Sequence, residues 1–289
     1  MTGEIIDTHP HVFADATDRY PIAPVGGVRS RWSQGIEVPG EFLIKVMDAA
    51  GVARAVLVQT STVYGFDNRF VADTVAAHPD RFDGVCSIDP LAPDAAEQLT
   101  YWVRDRGLVG VRLFTTGSEL GDLYAITDPG LDEFWSTAED LRVTVDVQVK
   151  YASLATAGVV ARRHPTVPVV IDHLGGAPIA TGPARDVAVE LFRLSEIPNI
   201  YVKFSGHNLD AADDGPGSAA QLVADLAAEF GGERVLWGSN FPNTFGTRPA
   251  TAETYRFMVD RLHQAVSRLG DPARALVLGG AAEAVYRRR

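Results

Sequence analysis

One cysteine, Cys86 in "RFDGVCSI", is all the thiol the chain of 289 residues contains. A lone thiol excludes an intramolecular disulfide, and its apolar surroundings assign it to a strand core, not to a nucleophile. No apolar run reaches the roughly 18 residues a membrane span needs, so no transmembrane helix and no membrane partner are expected. The opening "MTGEIIDTHPH" has no basic start leading into an apolar stretch, so no signal peptide is expected either. Together these absences predict a cytoplasmic setting. Positive charge is scarce too: 26 basic residues face 37 acidic ones, for a net charge of −11. No basic run stands out except the terminal "YRRR", which excludes nucleic acid as a partner. There is no Pro- or Ser-rich linker and no internal repeat, so residues 1–289 are expected to form one domain.

What is present is a rhythm. Short apolar runs recur at even spacing: "EIIDTHPH" (4–11), "ARAVLVQT" (53–60), "FDGVCSI" (82–88), "LVGVRLF" (108–114), "RVTVDVQV" (142–149), "VPVVIDH" (167–173), "IYVKFSG" (200–206) and "RVLWGSN" (234–240). Most are nearly continuous in Val, Ile and Leu, as strands buried on both faces of a parallel sheet must be. Helical patterns lie between them, at 39–50, 68–78, 92–106, 131–140, 152–164, 183–196, 217–230 and 252–269. In "GSAAQLVADLAAEFGG", Leu222, Val223, Leu226 and Phe230 fall on one helical face before a Gly stop. Eight strands alternating with eight helices predict an α/β fold, the (β/α)8 TIM barrel. A doubly wound open sheet is the alternative, and the lack of a G-x-G-x-x-G after the first run weighs against its dinucleotide-binding form. Residues 12–37 read as an elaborated loop after strand one.

In such a barrel the chemistry sits at the C-terminal ends of the strands. His9 and His11, two apart on strand one, point to the same side. Strand two ends at Gln59-Thr60-Ser61, strand four carries Arg112, and strand five ends Gln148-Val149-Lys150. Strand six ends Asp172-His173, strand seven carries Lys203 and Ser205, and strand eight ends Ser239-Asn240. A lone His-x-His is more often structural than catalytic, and Asp172 reads equally as a cap of the helix that follows. A third imidazole, His173, on another strand end moves the balance toward a site. Arg112 and Lys203 on apolar strands need partners, because a buried unpaired charge is costly, and Asp146 or Asp7 are the carboxylates to supply them. His78 and His164, each before a proline, read as helix-end features, and His207 in "SGHNLDAADDG" as a loop spectator.

The segments "IIDTHPHVF", "VIDHLGG" and "VLWGSNFP" stand in the order and at the strand positions of the amidohydrolase superfamily. The chain resembles its amidohydrolase-2 branch, and within that the metal-independent lactonase group of the 2-pyrone-4,6-dicarboxylate lactonase type. "LVQTSTVYGFDNRF" (57–70), "GLVGVRLF" and "LVLGGAAEAVYR" are similar to further segments of that group, so the resemblance spans nearly the whole chain. It implies a catalytic core of His9, His11, His173 and the residue at 240. It also implies hydrolysis of a cyclic ester by water at the barrel mouth. Should a divalent ion such as zinc bind, His9, His11 and His173 would be its ligands. Strand five ends without a histidine and strand four without a lysine, and an ammonium at 150 would repel a cation, so no essential metal is expected.

Position 240 departs from the pattern, which has aspartate there. An amide has no useful basicity, so Asn240 cannot act as general base. The chain is then an inactivated variant, a member whose base is another residue such as His173, or a binder without turnover. Arg112, Lys203, Lys150 and the loop residue Arg31 make the mouth locally basic, which suits a carboxylated lactone-like substrate. Tyr64, Ser61 and Asn68 after strand two, with Gln148, are the expected polar contacts to it. Gly176 replaces an arginine that the pyrone lactonase pattern has after "DHLG", which disfavours a dicarboxylated pyrone itself. A metal-dependent nonoxidative decarboxylase of an aromatic or muconate-type acid is the alternative enzyme, as is a cyclic amide or imide hydrolase. The oligomeric state is left open, a homodimer included.

Overall fold

The computed structural model describes residues 4–117, 121–243 and 248–287; Arg288 and Arg289 of the terminal basic run lie outside them. Eight parallel strands follow one another in chain order around a barrel: β1 (Ile5–Asp7), β2 (Val52–Val58), β3 (Phe82–Ser87), β4 (Gly110–Phe114), β5 (Thr144–Gln148), β6 (Val169–Ile171), β7 (Ile200–Phe204) and β8 (Val235–Trp237). Thr8, one residue beyond β1, closes the ring: its N–H (3.0 Å) and hydroxyl (2.7 Å) both donate to the Trp237 carbonyl. The seam is narrow because residue 238 is glycine; a Cβ there would lie 2.4 Å from that of His9. The (β/α)8 fold expected from the sequence is the one found.

Period-two alternation divides two apolar layers. Ile6, Val56, Val58, Val85, Val170 and Leu236 face the barrel interior, and their neighbours Ile5, Ala55, Leu57, Cys86, Val169 and Val235 face the helices. The helix Ala281–Tyr286 belongs to the inner cluster, and Thr144, at the start of β5, bonds through its hydroxyl to Val285 (2.8 Å). This helix therefore plugs the end of the barrel opposite the strand termini. Along the same alternation, the side chains that point inward from β4, β5 and β7 are Arg112, Asp146 and Lys203. They meet at mid-barrel, all buried.

Three local departures from the expected elements have physical causes. The helix expected over 183–196 is broken into Ala184–Val187, Val189–Arg193 and Leu194–Glu196. The Tyr151 hydroxyl inserts at the break, accepting from the Glu190 N–H and donating to the Val187 carbonyl, both at 3.2 Å. Residues 206–214, expected as loop, form a helix, because Ser205 and Asn208 make a reciprocal capping box around its first turn. Past 269 the chain is helical again, at Asp271–Ala275 and Ala281–Tyr286.

Asn68, expected against substrate, is a fold residue. Its amide donates to the carbonyls of Phe66 (3.0 Å) and Ser87 (2.9 Å), and its oxygen accepts from the Ser87 N–H (2.7 Å). The side chain thereby ties the segment after β2 to the end of β3. Asn68→Ala is expected to lower stability by about 1–3 kcal/mol for each buried group left unpaired, with kcat unchanged. Urea unfolding checks the first part; a collapse of kcat in the folded variant would return Asn68 to the site.

Candidate active site

Two strand ends, those of β1 and β6, bring the imidazoles together. The His9 ring lies 5.1 Å from that of His11 and 4.6 Å from that of His173, centroid to centroid. His9 and His11 are buried, and His173 is the most open of the three. Burial pushes His9 and His173 well below the ordinary imidazole range and His11 to about 4, with the nearby Arg112 charge adding to the shift at His11. All three are neutral at pH 7, so each carries one N–H and one lone pair.

Their neighbours decide which nitrogen holds the proton. His11 Nδ1 is 2.9 Å from the Val58 carbonyl, which can only accept, so the proton is on Nδ1 and Nε2 offers its lone pair. The Asn240 side chain also bonds to His11. His9 Nδ1 lies 3.3 Å from Asp172 Oδ1 and 3.4 Å from Lys203 Nζ, and its Nε2 has no partner among the described residues. His173 Nδ1 is 2.8 Å from Ser205 Oγ. Ser205 in turn is 3.1 Å from Asn208 Oδ1, an acceptor for its one hydroxyl proton, so its lone pairs are left to receive N–H groups. Asn208 Nδ2 donates to the His173 carbonyl (3.1 Å), which holds that oxygen in place.

Beneath the imidazoles lies a buried ionic network. Lys203 Nζ is 2.7 Å from Asp146 Oδ2 and 3.0 Å from Asp172 Oδ1, and Arg112 Nε is 2.8 Å from Asp172 Oδ2. Tyr286, on the plugging helix, donates to the other Asp146 oxygen (2.7 Å). Two cations facing it hold the Asp172 carboxyl well below its usual range despite complete burial. Asp7 performs a different task. It accepts the N–H groups of His9 (3.1 Å) and Ser239 (2.8 Å) and the Tyr255 hydroxyl (2.9 Å), which binds strand one to strand eight.

The backbone at two strand ends is unusual. His173, Leu174, Gly175 and Gly176 all have left-handed φ, from 53° to 64°. For the first two, which carry side chains, this costs about 1–2 kcal/mol per residue. Such strain persists at functional sites when the surroundings enforce it. Asn240 is left-handed as well, at φ 61°, a region asparagine enters more readily than most residues.

The residues expected at the site fall into three groups. His9, His11, His173 and Asn240 converge. Arg112 and Lys203 lie under them but are bound to Asp172 and Asp146, and Gln148 joins Arg112 while its amide donates to the Thr116 carbonyl (2.9 Å). These cations hold protein carboxylates, and a substrate carboxylate would have to displace one. Tyr64 is buried, accepting from the Ala14 N–H (2.9 Å) and donating to the Ala14 carbonyl (3.0 Å), which fixes the start of the 12–37 loop. Ser61 is buried one turn after β2, Lys150 is exposed and paired with Asp122 (2.8 Å), and Arg31 is exposed on the loop. Asp172, weighed from the sequence as a helix cap, is instead the hub of the ionic network.

Two neighbours of the site were not legible from strand ends. Trp32 of the 12–37 loop sits 5.5 Å from the His11 ring. His207, read as a spectator, lies 4.9 Å from the His173 ring with its Nδ1 3.1 Å from the shared Ser205 Oγ. The capping pattern S-x-x-N at 205–208 was the signal that would have placed it in a first helical turn.

A divalent ion would need three or more convergent donors. Among the described residues no group of three His, Cys, Asp or Glu side chains is arranged to hold one. Asp172, the carboxylate nearest the imidazoles, faces Lys203 and Arg112, Lys203 Nζ stands 3.4 Å from His9 Nδ1, and position 240 is an amide.

A parallel barrel with imidazoles from strands one and six and a polar residue ending strand eight defines a hydrolase-type active site. The chain matches the amidohydrolase family over residues 6–288 and belongs to it. It is 29% identical over 247 residues to L-fucono-1,5-lactonase of Burkholderia ambifaria, covering 82% of this chain and 81% of that one. It is 27% identical over 241 residues to 4-sulfomuconolactone hydrolase of Hydrogenophaga intermedia, covering 82% and 74%. A Burkholderia multivorans amidohydrolase solved with bound zinc superposes with a TM-score of 0.71 at 23% identity, over 99% of both chains.

Proposed function

We propose that this protein is a lactonase: it opens a small carboxylated cyclic ester by attack of water at the barrel mouth, without an essential metal. The observation that carries this reading is the place of His173, the most open of the three imidazoles, with Nδ1 2.8 Å from Ser205 Oγ; burial keeps it neutral, and a proton on Nδ1 facing Ser205 leaves the lone pair on Nε2. That lone pair takes a proton from water as the oxygen attacks the ester carbonyl. The imidazolium at His173 then returns its proton to the ring oxygen as the C–O bond breaks, giving a hydroxy acid. The names of the two relatives, both acting on lactones, support the class of substrate. The fully buried Cys86 fits a reducing, cytoplasmic setting.

A panel of sugar lactones and muconolactones in a pH-stat assay, with and without a chelator, tests this reading. Acid release that is unchanged by chelation is expected. Loss of activity on chelation, restored by zinc or manganese, would overturn the metal-free mechanism. Turnover of carboxylic acids with release of CO₂ in place of lactones would favour the decarboxylase.

A further inference from the structure

Of the four tryptophans, Trp102, Trp135 and Trp237 are buried in the core and Trp32 is half-exposed. Its indole rests against an active-site imidazole. The ring lies 5.5 Å from that of His11, centroid to centroid, at an interplanar angle of 31°, and Phe13 meets it edge-on at 5.5 Å. The indole N–H is open to solvent and donates to no group among the described residues.

The turn that carries this indole is clamped on both sides. Arg31–Ser33 forms one 3-10 turn of the 12–37 loop. Before it, the Ser30 N–H donates to the Thr62 carbonyl (3.3 Å), and the Ser30 hydroxyl stands 2.9 Å from that of Thr62, one turn past β2. After it, the Ser33 hydroxyl donates to the Ser30 carbonyl (2.9 Å). Arg29 reaches over the turn, with Nε on the Ser33 hydroxyl (3.1 Å) and a terminal nitrogen on the Ser33 carbonyl (2.7 Å). Ser30 and Ser33 are both buried. These bonds fix the backbone around Trp32, so the indole stands beside His11 before any ligand arrives, and a ligand that packs on it has no loop to order.

The chemistry of an indole narrows what it receives. Its face is apolar and carries partial negative charge, so it takes C–H groups and turns a carboxylate away. Its N–H can only donate, which suits an oxygen on the rim of a ring. The polar side chains expected nearby serve the protein itself: Tyr64 holds Ala14, Asn68 holds Ser87, and Gln148 holds Thr116 and Arg112. The loop side of the site therefore offers contact area more than hydrogen bonds.

We propose that Trp32 is the wall on which the lactone ring packs, C–H face to indole, with the carboxylate turned away from it. The inference rests on the lactonase reading for what the ring is and adds where it lies. Trp32 is a specificity-determining residue, with no part in bond making.

Trp32→Ala and Trp32→Phe test it, with the thermal midpoint as a check of folding. In fluorescence, acrylamide is expected to quench Trp32 ahead of the three buried indoles, and Trp32→Phe loses that component. Tetrahydropyran-2-carboxylate, a carboxylated ring with no ester to cleave, protects Trp32 from quenching, whereas succinate, a carboxylate without a ring, does not. In calorimetry, Trp32→Ala binds tetrahydropyran-2-carboxylate about tenfold more weakly, the size of a lost aromatic contact, and Trp32→Phe recovers part of the loss. In kinetics, KM for a carboxylated lactone rises by a similar factor in Trp32→Ala while kcat stays within a few-fold. Quenching that the ring compound does not change, together with parent-like binding by Trp32→Ala, would overturn the wall and leave the lactonase intact. Trp32-dependent binding of the ring compound by a protein that opens no lactone would sustain the wall and sink the lactonase.

Discussion

Asn240→Asp is expected to raise kcat for the lactone by about 10² to 10⁴, the usual worth of a positioned general base. The backbone permits the change, since aspartate and asparagine are both among the residues that tolerate the left-handed φ of 61° at this position. What differs is the proton inventory. With asparagine, the side chain that bonds to His11 carries no charge, and both groups are neutral. With aspartate, two acceptors would face each other, and the pair is satisfied only when His11 takes up a second proton. Arg112, which lies close enough to depress His11, steadies the new carboxylate. The variant therefore carries a second signature besides rate. The His11 pKa, about 4 in this chain, is expected to rise by at least one unit in Asn240→Asp, as an imidazole does beside a carboxylate. Steady-state kinetics and nitrogen NMR of the imidazoles read the two effects separately. A rise in His11 pKa with no gain in rate would mean that His173 already supplies all the basicity the reaction uses.

The barrel was legible because its requirements are local. Strands buried on both faces must be apolar throughout, and the alternation of Ile5 with Ile6, or of Leu57 with Val56 and Val58, needs no knowledge of the rest of the molecule. His9 and His11 were legible for the same reason, since period two along one strand puts them on one side. The need for partners at Arg112 and Lys203 could also be read, because charge on an apolar strand demands compensation. Their distribution could not. Whether Asp172 caps a helix or receives two cations depends on where β4, β6 and β7 stand around the ring. The same holds for Asn68, Tyr64 and Ser205, whose side chains answer backbone groups or imidazoles far off in sequence. Trp32 belongs to this class too. Nothing near it in the chain announces that His11 will lie against its indole.

The imidazole cluster that makes the site also makes the fold sensitive to acid. His11 and His207 are each held at about 4, against 6.5 in an unfolded chain, because burial disfavours their charged forms. A depressed imidazole pKa means that the unfolded chain binds the extra proton first, so stability is complete above pH 6.5 and falls as pH drops toward 4. At about 1.36 kcal/mol per unit, each of these two residues removes about 3 kcal/mol across that window. His9 and His173 are lowered further and add to the loss. Asp146 and Asp7 act in the opposite sense, since burial raises both carboxyls and the folded protein then binds protons in preference. Four imidazoles outweigh two carboxyls, and the net loss of several kcal/mol compares with a total stability of about 5–15 kcal/mol for an ordinary domain. Asp172, held ionised by Arg112 and Lys203, contributes its own loss only below its unfolded pKa of 3.8. Urea midpoints are therefore expected to fall steadily from pH 6.5 to 4, with the native state failing before pH 4 is reached. His207→Gln keeps a polar side chain facing Ser205 and removes one titrating group, so it should recover about 3 kcal/mol of that loss near pH 4 while changing little at pH 7.5. A midpoint that stays level across the window would mean that the imidazoles are hydrated and charged in the folded protein, and the neutral forms assigned to His9, His11 and His173 would fall with it.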